Sequence, residues 1–216
     1  MNTGIIFDLD GTLLDTLDDL HTAVNHTMAR FGCPSRTREE VRQFVGNGVE
    51  VLIRLALPGE DTDPPVEEVI AAFRVYYNAH CQEKTGPYPG IPEALAELAT
   101  EYPLAVVSNK PDSAVKPLCR EYFGPIFALG ERHDTPRKPA PDMVRQAMAA
   151  IGVERCVYVG DSEVDILTAQ NAGVPCLSVT WGFRDRDELR AAGGKYFCDN
   201  PRHLPVSIRA ILAEAF

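Results

Sequence analysis

Ile5-Ile6-Phe7-Asp8-Leu9-Asp10-Gly11-Thr12-Leu13 reads as a short apolar strand that runs into two carboxylates and then a Gly-Thr turn. A strand apolar on both faces belongs inside a sheet, because alone it cannot satisfy its own backbone. In extended chain, residues i and i+2 point the same way, so Asp8 and Asp10 are expected side by side. Two negative charges that close repel each other unless a cation sits between them. The pair suits a hard, oxygen-seeking cation such as Mg²⁺. It also offers one carboxylate as nucleophile and a second as proton carrier. The plain alternative is an exposed acidic strand end before a glycine turn, and the rest of the chain decides between the two.

Outward from this strand the period changes at Asp15. Leu17, Leu20, Val24, Met28 and Phe31 recur at three- and four-residue steps, the mark of an amphipathic helix, which Cys33-Pro34-Ser35 ends. Val49–Leu57 and Val66–Cys81 show two more helical patterns, separated by an acidic, proline-rich turn at Pro58–Pro65. No strand is expected between about residues 15 and 86, and Gly86-Pro87-Tyr88-Pro89-Gly90 then reads as a linker.

Beyond the linker strands and helices alternate. Pro92 opens a helix through Ala99, with proline in the first turn where its missing N–H does no harm. Leu104–Val107, Ile126–Leu129, Cys156–Val159 and Cys176–Val179 read as strands. Ser113–Tyr122, Pro141–Ile151 and Val164–Asn171 read as helices, the last closed by Gly173. Such a series implies a parallel sheet covered on both faces, and the first strand must join it. The expected fold is α/β, a Rossmann-like parallel sheet with helices on both faces, plus an inserted all-helical cap. Residues 1–15 and 87–216 form the catalytic core and 16–86 the cap.

Composition narrows the function. The chain has 216 residues and a net charge of −10, with no basic stripe to neutralise nucleic-acid phosphates. No apolar run approaches a membrane span, and no basic region followed by an apolar run opens the chain. Among six cysteines there is no CxxC pair, and Cys156 and Cys176 fall in apolar strand-like runs where a thiol packs as a small hydrophobe. The expectation is a reduced, cytoplasmic protein with buried or bystander thiols.

In open parallel sheets ligands bind beyond the carboxyl ends of the strands. Three strands here end in polar residues: Asp8 and Asp10, then Ser108-Asn109-Lys110, then Gly160-Asp161-Ser162 with Asp165 one turn on; Lys138 lies in a loop before another helix. Each has a bland reading alone. Ser108 and Asn109 favour helix caps, as does Ser162, and Lys138 would be a solvated loop charge. Their convergence carries the argument.

Together these residues resemble the haloacid dehalogenase superfamily, in its phosphatase branch. Asp8-Leu9-Asp10-Gly11-Thr12 matches the first motif, Ser108 the second, Lys138 the third, and Gly160-Asp161 with Asp165 the fourth. A helical cap inserted after the first motif is also a family feature. Val45-Gly46-Asn47-Gly48 with Ser108-Asn109-Lys110-Pro111 is most similar to phosphoglycolate phosphatases. The resemblance implies a phosphoric monoester hydrolase, monomer or homodimer, whose partner is a small phosphorylated metabolite and which works through an aspartyl-phosphate. Asp8 would attack phosphorus, and Asp10 would protonate the leaving oxygen and then activate water. Mg²⁺ would be held by Asp8, the backbone carbonyl of Asp10 and Asp161. Ser108, Asn109 and Lys138 would bind phosphate, with Asp165 and Thr12 supporting from behind. Crowding of like charges is expected to keep a proton on Asp10.

Related chemistries separate on single residues. A dehalogenase of this family lacks the second acid, present here as Asp10. A phosphonatase needs a cap lysine for a Schiff base, and no lysine precedes Lys84. A phosphosugar mutase of the same fold and a non-catalytic phosphate-binding module remain alternatives. A small substrate with its own carboxylate needs a cation at its far end. Arg42 and Arg54, flanking the Asn47 turn, and Lys110 are the candidates.

Overall fold

The computed structural model describes residues 2–59 and 65–215; residues 60–64 of the acidic turn lie outside them. The chain divides into two units, Met1–Leu14 with Pro87–Phe216, and Asp15–Gly86. Strand β1 (Thr3–Phe7) opens the first unit. Strands β2 (Leu14–Asp15) and β3 (Gly86–Pro87) pair as a two-stranded ribbon where the chain leaves that unit and returns. The expected linker therefore begins with a strand.

Between them lie four helices, α1 (Leu17–Arg30), α2 (Arg38–Phe44), α3 (Val49–Ala56) and α4 (Val66–His80). Helix α1 buries Leu17, Leu20, Ala23, Val24 and Met28 along one stripe, as its spacing dictates. Its Asp19 is buried as well. That carboxylate accepts the Lys84 and Thr85 N–H groups at 2.9–3.1 Å and the Thr85 hydroxyl at 2.8 Å. Helix α2 was not expected. It spans seven residues and buries only Val41, too few apolar positions to show a period; its signal is the Thr37–Glu40 capping box.

The rest of the chain gives α5 (Ile91–Leu98), β4 (Leu104–Pro111), α6 (Asp112–Phe123), β5 (Phe127–Glu131), α7 (Asp142–Ala150), β6 (Arg155–Gly160), α8 (Glu163–Ala172) and β7 (Cys176–Val179). Four elements beyond the sequence reading follow: α9 (Arg186–Ala191), β8 (Tyr196–Cys198), a 3₁₀ turn (Pro201–His203) and α10 (Leu204–Ala215). The six strands stand in the order β5-β4-β1-β6-β7-β8, every pair parallel. The chain winds outward from β1 to β5, then crosses to β6 and winds the other way. The crevice beyond the ends of β1 and β6, where the winding reverses, is where such sheets take ligands.

Alternation along the strands builds two cores. Ile5, Phe7, Val106, Val157 and Val159 face α5, α6 and α10, whereas Ile6, Ala105, Val107, Cys156 and Tyr158 face α7 and α8. Each fully buried Ile or Phe contributes roughly 1.5–3 kcal/mol relative to exposure. All six cysteines are free thiols. Among the described residues no helix is long and apolar enough to cross a membrane.

Candidate active site

Strand β1 ends at Phe7, short of the Ile5–Leu9 strand that the apolar run suggests, although the Asp8 N–H still donates to the Val159 oxygen at 2.8 Å. Asp8 and Asp10 are thus not neighbours on a pleat. After Asp8 the chain folds back, with the N–H groups of Leu13 and Leu14 on the Leu9 oxygen at 2.9 and 3.0 Å. Gly11 makes this turn possible at φ 84°. A Cβ there would also stand 2.3 Å from an Asp161 oxygen.

Lys138 is the hub. Its ammonium, 3% exposed, donates to Asp8 Oδ1 and to Asp165 Oδ1, both at 2.7 Å, and to the Tyr158 hydroxyl oxygen at 3.2 Å. The Tyr158 hydroxyl donates in turn to Asp165 Oδ1 at 3.0 Å. Burial alone would push the Lys138 ammonium down, but Asp165 and Asp8 outweigh it and hold the group above its ordinary range. The other Asp165 oxygen accepts the Ser162 hydroxyl at 2.7 Å and the N–H groups of Ser162 and Asp161 at 3.1 and 3.2 Å. From the third position of α8 it therefore ties off the helix N-terminus while orienting Lys138.

Asp161 is gripped through both oxygens. The Thr12 hydroxyl donates to Oδ1 at 3.0 Å and the Phe183 N–H to Oδ2 at 2.7 Å. Carboxylate oxygens of Asp8, Asp161 and Asp165 lie within 4.8 Å of one another, all three buried. Burial, then the neighbouring Asp165 charge, pushes the Asp161 carboxyl up to about 7. Burial likewise holds Asp8 well above the usual carboxylate range, against the lowering pull of Lys138. Buried carboxylate oxygens this close fit a hard divalent cation.

Around β4 the register shifts between Val107 and Pro111, and the intervening residues carry the second group of candidates. Ser108 is buried, and its hydroxyl oxygen accepts the Lys110 N–H at 3.1 Å. The Lys110 ammonium donates to Asp10 Oδ1 at 2.9 Å. Crowding of Asp10 by like charge alone therefore leaves out an opposite charge on it. Counting both lysines, four carboxylates face two ammonium groups, a formal deficit that one divalent cation meets. Asn109 spans the main chain of Lys138: its amide donates to the Lys138 oxygen at 3.0 Å, and its oxygen accepts the Lys138 N–H at 2.8 Å. It was expected on phosphate; here it anchors the loop that presents the lysine.

The remaining candidates lie in the other unit. Arg42 pairs with Glu39 at 2.8 Å and Arg54 with Glu50 at 3.1 Å, each along its own helix. Asn47 sits between Gly46 and Gly48, both at positive φ, in the turn before α3. Sequence reading passed over Tyr158, the Lys110–Asp10 contact and the Phe183 N–H. A tyrosine inside an otherwise aliphatic strand was a usable signal, since a buried phenol needs a partner. A backbone N–H carries none.

The sequence matches the profile of the haloacid dehalogenase-like hydrolase family over residues 5–179. It is 35% identical over 210 residues to phosphoglycolate phosphatase 1 of Pseudomonas aeruginosa, covering 93% of this chain and 77% of that one. It is 38% identical over 190 residues to a phosphoglycolate phosphatase of Cereibacter sphaeroides, covering 84% and 86%. The fold is similar to the crystal structure of a candidate phosphoglycolate phosphatase from Lactobacillus delbrueckii subsp. bulgaricus. The TM-score is 0.87 at 39% identity, over 95% of this chain and 97% of that one.

Proposed function

We propose that this chain, which belongs to the haloacid dehalogenase-like hydrolases, is a phosphoric monoester hydrolase that uses Mg²⁺ and acts on a small phosphate monoester, 2-phosphoglycolate by preference. The observation that carries the reading is the buried Lys138 ammonium, 2.7 Å from both Asp8 and Asp165, beside a carboxylate cluster suited to a divalent cation. The named relatives support the substrate.

Asp8 attacks phosphorus as a carboxylate, the P–O bond to the leaving group breaks, and a mixed anhydride forms on Asp8. Asp10 gives its proton to the leaving oxygen. It then takes a proton from the water that attacks the same phosphorus, which returns Asp8 as a carboxylate and releases phosphate. Ser108 accepts from the Lys110 N–H, which leaves its own proton to donate to a phosphate oxygen. Lys138 offsets charge on Asp8 and on the transferring group. Asp8, the main-chain oxygen of Asp10 and Asp161 would hold Mg²⁺, which supplies charge neutralisation at the phosphate. Lys110 is suited to specificity. A substrate carboxylate would compete with Asp10 for this ammonium. Arg42, Arg54 and Asn47 are the candidates from the other unit.

The test is phosphate release from a panel of phosphorylated metabolites with Mg²⁺, for wild type and Asp8→Asn. The expected result is highest kcat/KM on 2-phosphoglycolate and none above background for the variant, whose amide is not a competent nucleophile. Release from no monoester by wild type, or substantial turnover by Asp8→Asn, refutes the proposal. Lys110→Ala should raise KM for 2-phosphoglycolate more than for p-nitrophenyl phosphate.

A further inference from the structure

Trp181-Gly182-Phe183, the turn after β7, meets the Gly11-Thr12 turn and Asp161. The Trp181 indole N–H donates to the main-chain oxygen of Thr12 at 3.0 Å. Gly182 approaches so closely that a Cβ would stand 2.3 Å from the Gly11 oxygen and 2.4 Å from Asp161 Oδ2. The Phe183 N–H donates to that same Oδ2 at 2.7 Å. Thr12 closes the circuit, its hydroxyl on Asp161 Oδ1 and its carbonyl under the indole.

We infer that this turn is a positioning strap that sets the affinity of the site for its divalent cation by fixing how the Asp161 carboxylate is presented. The inference rests on the proposed reading of Asp161 as a Mg²⁺ ligand. A carboxylate has about four lone-pair directions, so one donor on each oxygen leaves room for a metal. Both donors are neutral. They orient the carboxylate without supplying the positive charge it lacks, which leaves that place to the cation. A ligand already held in its bound orientation loses less freedom on binding, and outer contacts of this kind commonly govern roughly 10–100-fold in metal affinity. Gly182 is not among the glycines at positive φ. Space alone therefore excludes a side chain there, and the obstacles are a backbone oxygen and the ligand itself.

The experiment is calorimetric Mg²⁺ titration of the EDTA-stripped full chain, for wild type, Gly182→Ala and Trp181→Phe, with melting temperatures in EDTA. The strap predicts that Gly182→Ala weakens Mg²⁺ binding roughly 10-fold or more. Trp181→Phe keeps the apolar bulk and loses one donor, and should weaken binding about threefold or more. The Mg²⁺ constant should move further than KM for the substrate. If Gly182→Ala does not fold, Trp181→Phe decides. Variants that melt lower in EDTA yet bind Mg²⁺ within about twofold of wild type overturn the strap and leave the turn a structural part only. A wild-type chain with no Mg²⁺ isotherm overturns the underlying reading of the acid cluster instead.

Discussion

Asp161 shows how burial and charge combine at a single residue. Its carboxyl is pushed up to about 7 by burial and then by Asp165, against an ordinary value of 3.8. Between those values the folded, metal-free chain binds a proton that the unfolded chain releases. Stability from this group is full below about pH 4 and is lost as the pH rises through about 7. Asp8 is raised in the same direction. In EDTA the protein should therefore melt at higher temperature at pH 5.5 than at pH 8. Mg²⁺ should shrink the difference, because a cation favours the ionised form, and Asp161→Asn should reduce it without metal. Equal or greater stability at pH 8 in EDTA would contradict the burial argument.

At the scale of elements, the working parts are segment ends rather than segments. The first turn of α8 carries Asp165, and the irregular end of β4 carries Ser108, Asn109 and Lys110. Such irregularities recur beside active sites because they re-aim side chains. Asn109 makes the coupling testable. Replacing it with Ala leaves the buried N–H and C=O of Lys138 without their amide partners, at about 1–3 kcal/mol per unsatisfied group. The loop then holds the ammonium less firmly. Asn109→Ala should lower kcat roughly 10-fold, with a smaller change in KM than loss of a direct phosphate contact would give; a large KM effect at constant kcat would restore Asn109 to phosphate binding. Most long elements were legible in the sequence because apolar periodicity reports burial, although the twelve residues of α10 were passed over. The seven residues of α2 and three of β8 were not, since a period needs more than one or two buried positions to show.

For the whole molecule the net charge of −10 sets the field that an anionic substrate meets. Within the site the lysines and a divalent cation balance the carboxylates, so attraction is local while the surrounding surface repels. Screening weakens only the long-range part. kcat/KM for a phosphate monoester should hold steady or rise between about 20 and 200 mM salt at fixed Mg²⁺. A steep fall, in initial rates at low substrate, would reveal cationic steering that this charge distribution does not contain.

The sequence by itself determined the parallel sheet and the kinds of groups at its carboxyl edge. Alternating apolar runs fix which segments are buried on both faces, and polar residues just after them fall at the ligand end. It also marked Asp8, Asp10, Ser108, Lys138, Asp161 and Asp165 as candidates, through their convergence on that edge. Only the tertiary structure decided who meets whom. Lys138 reaches Asp8 across 130 positions, Lys110 reaches Asp10 across 100, and the Phe183 N–H reaches Asp161 across 22. A helix or strand stamps its neighbours on the sequence at fixed spacing, but contacts between loops of different strands depend on strand order, register and the path of each turn. No local period records those, so the pairing of charges, and with it the job of each lysine, appears only once the sheet is assembled.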